Sequence, residues 1–156
     1  MLHFVIELGE HKVADIRKLL KNAHKFHLVV GARSSNALKQ TPVLHRIAKY
    51  FINQILSFCF NQPVKDINSG LRVFNKDAIK NYFSLICDSY SFTASMTLIM
   101  LFERKKIKFI PIDYSQRKGK SKIKQFSYSV SFIKSFWVIT KHYLISRTRN
   151  SYGLSD

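Results

Sequence analysis

Four cations crowd a single glycine in Arg117-Lys118-Gly119-Lys120-Ser121-Lys122. Such a stretch suits phosphate oxygens, because Arg and Lys make short charge-assisted hydrogen bonds and a glycine lets the backbone come close. It is not a nucleoside-triphosphate P-loop. That motif needs a glycine five positions before the Gly-Lys-Ser, and Tyr114 stands there. A solvated basic loop explains the charge equally well.

A second cluster is Asp66-Ile67-Asn68-Ser69-Gly70-Leu71-Arg72. Turn chemistry alone accounts for Asn68, Ser69 and Gly70, and Asp66 and Arg72 would pair with each other in the simplest reading. A third is Val30-Gly31-Ala32-Arg33. In open α/β sheets ligands bind beyond the carboxyl ends of strands, which makes Arg33 a phosphate contact or an ordinary surface arginine. The histidines form no metal pattern: His24 and His27 lack a companion ligand at useful spacing. Ser131 and Lys134 match Ser-x-x-Lys without that motif's partners.

The elements that would position these groups are set by apolar spacing. Leu2 to Ile6 reads as a strand. Val13, Ile16, Leu19 and Leu20 mark an amphipathic helix, and Leu28-Val29-Val30 a short buried strand ending at Gly31. Pro42 suits the first turn of a helix that runs through Leu56 and stops at Pro63. Leu71 to Phe74 is strand-like, and Asn75 can cap a helix through Phe83. An apolar helix over Thr93 to Phe102, a strand over Ile107 to Tyr114, a loop over Ser115 to Lys124 and a helix over Phe126 to Ile145 complete the chain. Helices alternating with short buried strands give an α/β layer structure.

In the last helix Phe126, Val130, Ile133, Phe136, Trp137, Ile139, Tyr143 and Leu144 make an aromatic-rich surface. Lys124, Lys134, Lys141, His142, Arg147 and Arg149 lie on it or flank it. This fits a helix lying on anionic lipid, or a core helix with snorkelling lysines. The whole chain holds 26 Lys and Arg against 9 acids, a formal charge of +17, so it should seek an anionic partner. No apolar run reaches the roughly 18 residues of a membrane span. Cys59 and Cys87, each among apolar residues, read as buried thiols of a reducing compartment.

Taken in order, several stretches carry a resemblance. They are Val13-Ala14-Asp15-Ile16-Arg17-Lys18-Leu19-Leu20, Val30-Gly31-Ala32-Arg33, Asp66 to Phe74, Ser91-Phe92-Thr93 and Ile110 to Lys122. From Gly9 to about Tyr143 the chain resembles the dolichol- and undecaprenyl-phosphate sugar transferases of glycosyltransferase family 2. The resemblance implies the C-terminal part of a GT-A, Rossmann-like fold over 1–124. An interfacial amphipathic helix and tail would come after it over 125–156.

It further implies transfer of a sugar from a nucleotide-sugar donor to a polyprenyl phosphate with inversion, on the inner face of the cytoplasmic membrane. Asp66 would sit at the reacting centre. Arg33, Arg46, Ser69, Arg72, Arg117, Lys120 and Ser121 would serve the acceptor and diphosphate. The family's nucleotide-binding half has no counterpart here, so a chain supplying that half is an expected partner. Where the family places an Asp-x-Asp pair for Mg²⁺ or Mn²⁺ stands Ile6-Glu7-Leu8-Gly9-Glu10-His11, and Glu7 is the residue offered as a metal ligand. The alternative is a non-catalytic basic protein on a membrane surface or nucleic acid. Nucleic acid is the less favoured, since no nucleic-acid fold motif occurs and the cations are scattered.

Overall fold

A computed structural model of the chain describes residues 2–5, 11–33, 43–86, 92–113 and 133–145. It is an α/β structure, as the alternation of elements predicts. Strand β1 (Leu2–Val5) leads to helix α1 (Val13–Leu20), strand β2 (Leu28–Arg33), helix α2 (Val43–Phe60), strand β3 (Arg72–Asn75), helix α3 (Phe92–Phe102) and strand β4 (Ile107–Ile112). A last helix, α4, covers 133–145. The four strands form one mixed sheet in the order β1-β3-β2-β4. β3 runs antiparallel to both β1 and β2, whereas β2 and β4 are parallel.

The period-2 alternation of the strands sorts their side chains onto two faces. Val29, Val73, Ile110 and Ile112 meet Ile16, Leu19, Ala23 and Phe26 of α1 and the turn after it. Leu28, Val30, Phe74, Ile107 and Phe109 face the other way, onto α2, α3 and α4. α3 is buried continuously from Ala94 to Leu101, as a helix that is apolar all round must be. It ends in a Schellman turn. The Lys105 amide donates to the Met100 carbonyl at 2.9 Å and the Arg104 amide to Leu101 at 3.0 Å, with Arg104 at φ 50°.

Four rings from four segments lock this second layer. Phe60 of α2 meets Phe102 of α3 edge-on at 5.0 Å. Tyr143 of α4 stacks on Phe102 at 4.6 Å, and Tyr82 stacks on Tyr143 at 6.2 Å. The Tyr143 hydroxyl donates to Glu103 Oε1 at 2.9 Å.

Several expectations need correction. β2 does not end at Gly31 but runs on to Arg33. The glycine is there for packing: a Cβ would lie 2.9 Å from Ile112 Cδ1 on the neighbouring strand. α2 ends before Pro63 because the chain turns into the left-handed region at Asn61, φ 48°. Asn75 does cap, its side chain accepting from the Asp77 amide at 2.9 Å. The capped segment is a pair of 3₁₀ turns, Lys76–Ala78 and Lys80–Leu85, instead of one α-helix. Ile79, Tyr82 and Leu85 recur every third residue and all reach the core, which is the 3₁₀ period. Cys59 is exposed on α2 instead of buried. Cys87, the Ser115 to Lys124 loop and residues 126–132 of the expected last helix lie outside the described residues.

Candidate functional site

The parallel strands β2 and β4 end side by side, with Arg33 in register with Ile112. The crevice beyond the carboxyl ends of such strands is where open α/β sheets place ligands. A buried carboxylate is anchored here.

Its position is set from α2. Asn53 donates from Nδ2 to the Lys65 carbonyl at 2.6 Å. One turn on, the Ser57 hydroxyl accepts from the Val64 amide at 2.8 Å and donates to the Asn53 carbonyl at 2.7 Å. These bonds fasten residues 64–65 along the helix, so the next residue, Asp66, projects toward the end of β2. On the other side Arg72 fixes the turn after Asp66. Its guanidinium donates to the carbonyls of Ile67 (3.2 Å), Ser69 (3.0 Å from Nε) and Thr93 (2.7 Å), and to Thr97 Oγ1 (3.3 Å). The Gly31 amide closes the frame by donating to the Leu71 carbonyl at 2.9 Å.

Asp66 is therefore held by two cations from two elements. Arg33 donates from Nε to Oδ2 at 2.8 Å and from Nη2 to Oδ1 at 3.0 Å, a two-point clamp. Lys49 of α2 reaches Oδ1 at 2.8 Å. The carboxylate side chain is 4% exposed, while Arg33 and Lys49 keep 25% and 21% of theirs open. Burial by itself would raise the Asp66 pKa. The hydrogen bonds and charge of Arg33, joined by Lys49, reverse this and hold the carboxyl far below its ordinary value. Burial pushes the Lys49 ammonium down, with Arg33 adding to it and Asp66 opposing. The three charges sum to one net positive, and a carboxylate so held is a poor proton acceptor.

The sequence-based candidates thus separate. Arg33 and Asp66 come together, and Arg46 lies one turn before Lys49 on α2, exposed. Arg72 does not pair with Asp66 in the simple way expected of it. It is fully buried and braces the loop through carbonyls, and Ser69 is buried with its carbonyl accepting from Arg72. Neither is placed to touch a ligand directly in this conformation. Glu7, Arg117, Lys120 and Ser121 lie outside the described residues.

Lys49, Asn53 and Ser57 were missed. The signal was present in part, since Asn53 and Ser57 are polar positions four apart on the core-facing side of an otherwise apolar helix. Among the described residues no three His, Cys, Asp or Glu side chains converge as metal ligands. Both oxygens of Asp66 are engaged by cations.

No protein-family model matches the sequence. The chain is similar to an uncharacterized protein of Methanocaldococcus jannaschii, at 28% identity over 128 residues. The match takes in 76% of this chain and 53% of that protein, so the chain spans about half the length of the relative it matches.

Proposed function

We propose that this chain carries the acceptor side of a family 2 type glycosyltransferase, taking a polyprenyl phosphate as the group that receives the sugar. The observation that supports this reading is the pinning of Asp66 between Arg33 and Lys49 at the ends of two parallel strands. The chemistry of the acceptor allows Asp66 two roles. A sugar hydroxyl needs a general base to remove its proton. A phosphate monoester is largely ionised at neutral pH, its second pKa being about 6, and needs none. A carboxylate with depressed basicity suits the second. Asp66 then aims Arg33 and Lys49, whose exposed flanks meet the phosphate oxygens.

The basic stretch is within chain reach of the same place. Arg117 is five residues beyond Ile112, the register partner of Arg33, and five residues reach at most about 17 Å. Cations converging there would stabilise charge on an incoming phosphate and on a departing diphosphate. The donor is a nucleotide sugar in this reading, and no step is assigned to a metal. The membrane surface is the proposed location. On α4, Ile139 and Tyr143 pack inward while Ile133, Trp137 and Leu144 stay exposed among Lys134, Lys141 and His142.

The test is calorimetric titration of the chain with a short-chain prenyl phosphate and with the corresponding prenol. The phosphate should bind at least about tenfold more tightly, the equivalent of about 1.4 kcal/mol. R33A should remove most of that difference. Equal affinity for the two ligands, or an R33A chain that still discriminates, rejects the proposal.

A further inference from the structure

A cavity of about 1090 Å³ opens at the end of the sheet away from Arg33. β2 and β4 run parallel, and Leu28 and Ile107 stand in register where they begin, as Arg33 and Ile112 do where they end. A strand of six residues puts about 17 Å between those two ends. The cavity is built from helix ends. Asn61 follows α2, Arg104 to Lys106 follow α3, and His142 and Tyr143 belong to the last turns of α4.

Three adjacent cations line it, Arg104, Lys105 and Lys106. Among the described residues no carboxylate pairs with any of them. Glu103, the acid next in sequence, accepts from the Tyr143 hydroxyl instead. The field of these cations is felt at His27. Burial first, then Lys105 and Lys106, hold its imidazole below the ordinary pKa.

The backbone indicates that Arg104 does not stand there for local stability. It lies in the left-handed region at φ 50°. Glycine is the usual residue at that place in a Schellman turn, because a Cβ is crowded there. The other described non-glycine residue with positive φ, Asn61 at 48°, lines the same cavity. Asn adopts this conformation readily, whereas Arg gains nothing from it. Residues held against their preference gather at ligand clamps.

The remaining lining selects among anions. Phe60, Phe102, Tyr82 and Tyr143 supply ring surface, and each is partly exposed. Asn61 and Gln62 supply amides, which both donate and accept. Inorganic phosphate or a small carboxylate would leave the rings unused. An acyl chain would leave the amides unpaired. A flat heterocycle joined to phosphate uses cations, rings and amides together, and the cavity is large enough for a ligand of that size.

We propose that this cavity is a binding site for a nucleoside phosphate, with its phosphates on Arg104, Lys105 and Lys106 and its base against the aromatic rings. The site lies apart from the Arg33–Asp66–Lys49 cluster and does not depend on the role given to that cluster.

Cys59 supplies a local reporter, since its thiol is exposed and lines the same cavity. The full chain is alkylated with a bulky maleimide, and peptide mass spectrometry reads Cys59 separately from Cys87. At least one of ADP and UDP should slow the Cys59 reaction about fivefold or more at saturation. Pyrophosphate, adenosine and uridine should each need at least about tenfold higher concentration for the same protection, because each offers only part of the ligand. R104G removes a cation where the backbone favours glycine, so it should fold as well as wild type. R104G and, separately, K106A at an exposed side chain should each weaken protection about threefold or more. Protection by neither nucleotide overturns the inference. So does equal protection by pyrophosphate, which would mean that charge alone is read, or by a nucleoside, which would mean that the cations are idle. Unchanged protection in both variants overturns it as well.

Discussion

Arg33 and Arg72 lie near one another in the fold, at the end of β2 and the start of β3, and both belong to stretches that invite a phosphate-binding role. Their settings are opposite. Arg72 is enclosed, and its donors go to carbonyls and a hydroxyl of a fixed frame. Arg33 grips one carboxylate and keeps a quarter of its side chain in solvent. A guanidinium bound to backbone carbonyls cannot leave them without orphaning buried acceptors. One bound to a carboxylate at a rim can share its charge with an incoming anion. The residue type announces a cation, and the partners decide whether that cation is architecture or a binding group.

R72A puts this contrast under the greatest strain. Removing the guanidinium leaves the Ile67, Ser69 and Thr93 carbonyls without their donor in the interior, so a loss of about 3–5 kcal/mol is expected in urea denaturation. R72K should recover little, because an ammonium cannot reproduce the planar fork. A variant as stable as wild type would mean that Arg72 does not hold the loop. Next comes D66N, which leaves Arg33 and Lys49 facing each other without their counterion. About 2–3 kcal/mol should be lost at neutral pH.

The sign of its pH dependence is fixed by the depressed Asp66 pKa. The carboxylate's contribution is complete above the ordinary Asp value of about 4 and disappears as pH falls below it toward the lower folded-state value. Wild type should therefore lose stability more steeply than D66N on acidification, and parallel curves would contradict the ion-pair geometry. The smallest effect belongs to R33A, where Lys49 still compensates Asp66 and water can reach the rim. A loss of about 1–2 kcal/mol is expected, well below that of R72A, and a reversal of this order would invert the comparison.

Much of the fold was legible because burial leaves a periodic trace. The spacing of Val13, Ile16, Leu19 and Leu20 located α1, and the apolar runs of β2, β4 and α3 were found within a residue or two at most ends. The 3₁₀ turns after Asn75 were not, because Ile79, Tyr82 and Leu85 satisfy a three-residue period over too short a span to be told from a helix. The extension of β2 past Gly31 depends on Ile112, a residue 81 positions away (112 − 31) that no local pattern connects to it.

The site was half legible for the same reason. Arg33 and Asp66 stood out as charges next to strand ends. Lys49 did not, since only the fold brings it to Asp66. The burial of Arg72 depends on carbonyls, which have no signature in a sequence at all.

The ladder of rings that joins α2, α3, α4 and the 3₁₀ turn gives the molecule an optical signature of its assembly. Burial raises the pKa of both Tyr143 and Tyr82, and the hydrogen bond and charge of Glu103 add to each. In an alkaline titration monitored by phenolate absorbance these two chromophores should ionise at higher pH than a free tyrosine. If α4 peels away, the stack opens and both phenols return to the ordinary range near 10. Absorbance at high pH thereby becomes a gauge of whether the final helix is docked, readable without a label.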